Sequence, residues 1–152
     1  MEILAAVGLA GNIVQFVDFS GKLVSKATEI HQSGTGSLVE NIDIETATND
    51  LALLSTKLHD SANSTGDTAL GELCQSCDAA AKDLLSALDK VKVKGRKQKW
   101  KSFRKALRSV WSKEDIAALE QRLARFRDEL NFRVGVNLRS VRKTAVPVAL
   151  II

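Results

Sequence analysis

Apolar residues recur three and four positions apart along nearly the whole chain, the spacing of one face of an α-helix. In the first segment, about residues 2–31, Ile3, Val7, Ala10, Val14, Val17 and Val24 form one stripe, and Leu9, Ile13, Phe16, Leu23 and Ile30 form an adjoining one. Apolar character around more than half the girth predicts either the central helix of a bundle, largely buried at rest, or a segment that can exchange protein packing for lipid. Gly8, Gly11 and Gly21 each cost about 1 kcal/mol relative to Ala in a helix interior. Either close helix approach compensates, or the helix is loose there.

The turn cluster Ser33-Gly34-Thr35-Gly36-Ser37 separates this segment from a second helix marked by Ile44, Ala47, Leu51, Leu54 and Leu58, expected to end before Ser61. A polar loop from Ser61 to Asp67 leads to a third helix with Leu70, Leu73, Cys77, Ala80, Leu84, Leu88 and Val91 on one face, stopped by Gly95. Beyond it comes a basic helical stretch in which Trp100, Phe103, Leu107 and Val110 share a face. Ser112 reads as an N-cap, with Asp115 three residues on making a weaker relative of the capping box. Ile116, Leu119, Leu123, Phe126, Leu130 and Val134 make the seam of the last long helix. The expectation is an all-α fold, a four- to five-helix bundle with a central apolar N-terminal helix. It divides into a bundle over residues 1–143 and an apolar, non-periodic tail over 144–152, read as strand-like, docked or disordered.

Composition supports one domain of this class: 152 residues, 45% hydrophobic, 5% aromatic, with Pro147 the single proline. The net charge of +4 hides a division. Residues 1–90 hold 5 Lys/Arg against 13 Asp/Glu, and residues 91–152 hold 17 against 5, so the halves carry −8 and +12. Such asymmetry points to an electrostatic partner: anionic lipid, nucleic acid, a neighbouring copy, or the acidic half of the same fold.

Cys74 and Cys77 form a C-x-x-C, but no second Cys pair exists and His31 and His59 are distant in sequence, so the pair reads as small buried core residues. No metal, cofactor or catalytic residue is expected, because no phosphate loop, paired-carboxylate site or Ser/His/Asp constellation can be assembled. The apolar run from Ile3 to Val17 lacks the flanks of a secretory signal. As a helix it reaches roughly 22 Å, short of the ~30 Å hydrocarbon core. The expected location is cytoplasmic.

Trp100, Phe103 and Trp111 among lysines and arginines could stack on bases while the cations neutralise phosphates. Their helical spacing favours instead a core-facing stripe that leaves Lys97, Lys101, Arg104, Lys105 and Arg108 as a basic surface for anionic lipid or protein.

Two stretches carry a family resemblance: Leu4 to Phe19, LAAVGLAGNIVQFVDF, and Trp100 to Lys113, WKSFRKALRSVWSK. With the helical spacing between and after them, residues 2–140 resemble the N-terminal domains of fungal NOD-like (STAND) receptors that often precede a NACHT module, relatives of the HeLo and HeLo-like cell-death bundles. The resemblance implies a signalling domain of fungal innate immunity, programmed cell death and heterokaryon incompatibility, acting as a homo-oligomer. It implies a NACHT or NB-ARC receptor module as partner, and movement to the plasma membrane on activation. By position, Ile3, Leu4, Val7, Leu9, Ile13, Val14, Phe16 and Val17 are then the membrane-targeting helix. The alternatives are a helical interaction module without membrane activity and a basic nucleic-acid-binding bundle.

Overall fold

A computed structural model describes the backbone over residues 2–25, 43–94 and 102–151, and side chains over 7–25, 43–93 and 102–136. Among the described residues five helices follow one another: α1 Glu2–Val24, α2 Ile44–Ser64, α3 Thr68–Lys94, α4 Phe103–Arg108 and α5 Lys113–Ile151. No strand occurs among the described residues.

Each helix from α2 on starts where a short polar side chain accepts an orphan backbone N–H. Asp43 caps α2 by accepting from the Thr46 amide at 3.1 Å and from the Thr46 hydroxyl at 2.6 Å. These bonds hold its carboxyl below the usual aspartate value, the side-chain bond contributing most. Asp67 caps α3 through the Leu70 amide, and Ser102, in extended conformation, caps α4 through the Lys105 amide, both at 3.1 Å. At α5 the capping box is reciprocal: the Asp115 amide donates to Ser112 Oγ and the Ser112 amide to Asp115 Oδ2, each at 3.1 Å.

The short connection Thr65–Asp67 makes α2 and α3 an antiparallel hairpin, the most extensive helix pair in the fold. α1 touches all four other helices, and in that sense it is central. The core joins Leu9, Ile13, Phe16, Val17 and Val24 of α1 to Leu51 and Leu58 of α2 and to Leu70, Leu73, Leu84 and Leu88 of α3. Phe103 and Leu107 of α4 and Ile116, Leu119, Leu123, Phe126 and Leu130 of α5 complete it. These are the stripes expected for the last four helices.

Four expectations change. α1 is not buried all round: Val7 and Val14 are 64% and 50% exposed, because at 3.6 residues per turn they lie opposite Leu9, Ile13 and Phe16. α1 also stops at Val24 rather than near residue 31, and residues 26–42 with their turn cluster lie outside the described residues. α2 runs on to Ser64, since Ser61 accepts a hydrogen bond from Asn12 at 2.8 Å and Ala62 packs on the core. Finally, the helical backbone of α5 continues through 144–151 without a strand-like break. Pro147 there removes one donor, the bond its amide would have made to the Lys143 carbonyl.

Candidate functional site

The eight residues expected to form a membrane-targeting helix all lie on α1, but on two faces. Leu9, Ile13, Phe16 and Val17 are no more than 3% exposed and belong to the core. Val7 and Val14 face solvent with Gly8, Gly11 and Gln15, and no charged residue lies between Glu2 and Asp18. For Ile3 and Leu4 the backbone is helical and the side chains lie outside the described residues. A Cβ added at Gly8, Gly11 or Gly21 would meet no described atom within 4 Å. Among the described residues no close approach compensates these glycines.

The basic surface is also divided. Lys105 and Arg108 are exposed on α4, while Lys97 and Lys101 lie outside the described residues. Arg104 is not part of a surface: it is 7% exposed and donates through Nη1 both to the Val24 carbonyl and to Glu120 Oε1. The cause is position. Arg104 sits beside Phe103 and three residues before Leu107, both fully buried, so its stem is drawn in with them. Its guanidinium then meets the C-terminal end of α1, where an unpaired carbonyl and the negative end of the helix dipole both favour a cationic donor. The sequence offered the signal, the apolar neighbours at helical spacing, but the run of cations around it masked it.

Phe103 is a core residue and Trp111 packs partly buried against the core, so neither is free to stack on a base. Trp100 lies outside the described residues.

Beside the Arg104 junction, α1 and α5 leave a groove of about 530 Å³ lined by Val17, Gly21, Val24, Glu120, Leu123 and Arg127, among others. Val24 and Glu120, to which Arg104 donates, line it, and Asp18 and Arg127 face each other across it at 4.0 Å. With Arg122–Asp83 at 3.0 Å, this is one of two ion pairs that tie the acidic half of the chain to the basic half among the described residues. Intramolecular neutralisation of the two halves is thus slight there.

One polar cluster was not expected. At the α2–α3 seam the Ser55 hydroxyl donates to Asp78, and Asp78 also meets Lys82 Nζ at 3.0 Å and His59 Nδ1 at 3.7 Å. Ser, His and Asp are neighbours here, but the hydroxyl is committed to the carboxylate rather than to the imidazole, the reverse of what activates a nucleophile. Cys74 and Cys77 are fully buried and free, as expected of core residues. Burial pushes the Cys74 thiol up to about 11, and Cys77 further still, which holds both as unreactive thiols at neutral pH. No group of three or more His, Cys, Asp or Glu is placed to hold a metal among the described residues.

Among the described residues, the bundle is thus distinguished by an outer face of α1 that carries no charge between residues 7 and 17 and by a buried arginine where α1, α4 and α5 meet. The chain belongs to the SesA family, described as the N-terminal domain on NACHT NTPases and P-loop NTPases, whose model matches residues 10–130. It is a signalling domain of the kind that accompanies an NTPase module, to which nucleotide chemistry belongs. The matched span begins after Ile3, Leu4, Val7 and Leu9 and ends at Leu130, a buried core residue of α5. No curated protein and no solved structure matches the chain. No helix among the described residues is long and apolar enough to cross a membrane.

Proposed function

We propose that this domain relays the state of an NTPase module by self-association and by engaging an anionic membrane through α1, as a cell-death effector of fungal innate immunity. The observation that carries this reading is the solvent face of α1. Between residues 7 and 17 it presents Val7, Gly8, Gly11, Val14 and Gln15 with no charge, whereas the outer faces of α2 and α3 carry Glu45, Asp50, Asp60, Glu72, Lys82 and Asp83. An uncharged strip costs little to bury against lipid, and the reverse face supplies Leu9, Ile13 and Phe16 once it leaves the core. Lys105 and Arg108 are exposed and available to anionic headgroups, each adding about 1 kcal/mol near such a surface. The protein is then expected to be cytoplasmic at rest and at the plasma membrane when active.

Dye release from phosphatidylserine-containing vesicles, compared with neutral ones, tests the reading. The parent chain should release dye from anionic vesicles, and Lys105→Glu with Arg108→Glu should weaken binding while leaving the fold intact, since both side chains point outward. Val7→Glu with Val14→Glu should abolish release without disturbing the core. Absence of release from either kind of vesicle would favour the other reading, an interaction module that never permeabilises a membrane, and release indifferent to these four positions would overturn the roles given to them. A salt-dependent shift with oligonucleotides in place of vesicle binding would favour the nucleic-acid reading.

A further inference from the structure

We propose that Arg104 is a clasp: it holds the C-terminal end of α1 against α4 and α5, and its detachment is the step that frees α1. This rests on the reading that α1 is the effector element, and it names what restrains it.

Val24 ends α1 with its side chain 1% exposed, so its carbonyl is an orphan acceptor at a buried helix end. The donor comes from Arg104, 80 residues away in sequence, and the same nitrogen also serves Glu120 on α5. Three helices thus meet at one guanidinium. Elsewhere α1 is held by its core side chains and the Asn12–Ser61 bond, with few polar ties to α5 among the described residues. Its last turns face α5 across the groove between them, where the other polar tie, Asp18–Arg127, is long and more than half exposed at both ends. Ser20, at 0% exposure, keeps a hydroxyl without a partner. Gly8, Gly11 and Gly21 weaken the helix with no close packing in return among the described residues.

The clasp also links α1 to the basic face. α4 is six residues long, and Lys105 and Arg108 project from it into solvent while Arg104 projects inward. An anionic surface that pulls on Lys105 and Arg108 acts on the short helix that carries Arg104. A helix of this length, held by the Ser102 cap and by Phe103 and Leu107, can tilt without unfolding α2 or α3.

Hydrogen exchange of the full chain by mass spectrometry tests the clasp without any membrane. In Arg104→Gln, the segment from Leu9 to Val24 should exchange about tenfold faster, while that from Leu51 to Leu88 stays within about twofold of the parent. Glu120→Gln, whose side chain is 46% exposed and whose loss spares the core, should shift α1 in the same direction by less. Combining the two should add little to Arg104→Gln alone. Equal acceleration in both segments would make Arg104 a general stability residue and overturn the proposal, as would unchanged exchange in α1. The clasp and the membrane reading separate in a second arm, dye release from phosphatidylserine vesicles. Faster α1 exchange with no gain in release would uphold the clasp and count against α1 as the membrane element, whereas increased release with unchanged α1 exchange would overturn the clasp.

Discussion

The Ser55 hydroxyl donates to Asp78 Oδ1 at 2.5 Å across the α2–α3 seam, and both residues are less than 9% exposed. A buried carboxylate needs such donors, and among the described residues Lys82 and the more distant His59 assist. Ser55→Ala should therefore cost about 1–3 kcal/mol, more than a surface hydroxyl, because Asp78 keeps its burial and loses a partner. Urea unfolding of the variant checks this, and a midpoint equal to the parent's would mean that solvent replaces the bond.

Adjacent residues of α1 should respond oppositely to truncation. Ile13, fully buried, should lose about 2–5 kcal/mol on change to Ala, whereas Val14, half exposed, should change stability by less than about 0.5 kcal/mol. Similar losses at the two sites would show that Val14 is packed in solution.

The outward glycines of α1 offer stabilising changes. Gly8→Ala and Gly11→Ala should each raise stability by about 0.5–1 kcal/mol, since helix propensity improves and no described atom lies within 4 Å of the new methyl. At Gly71 the same change brings a Cβ to 3.1 Å from Thr65 Cγ2 and should gain less or destabilise. Thermal melts of the three variants give the ordering. A loss at Gly8 or Gly11 would reveal a contact made by the assembled form.

Alkaline pH should destabilise the fold through its cysteines. With the Cys74 thiol raised from an ordinary 9.0 to about 11, the unfolded chain gives up its proton first. The cysteine contribution is fully present below pH 9 and is lost as pH rises toward 11; Cys77 acts in the same direction. Unfolding midpoints between pH 7 and the alkaline range should fall more steeply for the parent than for Cys74→Ala with Cys77→Ala. Parallel curves would show that the thiols do not drive the loss.

Ser112→Ala should remove half of the capping box at α5 and cost about 1 kcal/mol, with the effect confined to the first turn of that helix. Amide exchange at Asp115 and Ile116 reports it, and unchanged protection there would show that the cap is dispensable.

What the sequence determined by itself is the helical class, the seams of α2, α3 and α5 and the burial of both cysteines, because each rests on 3.6-residue periodicity and local capping chemistry. The capping box at Ser112 and Asp115 was legible for the same reason. Local spacing states that a helix has an apolar side; it does not state how wide a side its neighbours will cover. Only the packing of α2–α5 around α1 decided that Ile13 is inside while Val14 faces water. Likewise Arg104 lies within a run of cations that reads as surface, and its burial depends on a carbonyl at Val24 and a carboxylate at Glu120 brought together from distant parts of the chain. A charged group can enter a core when tertiary structure supplies both an acceptor and a counter-ion, and neither is visible from its neighbours in sequence.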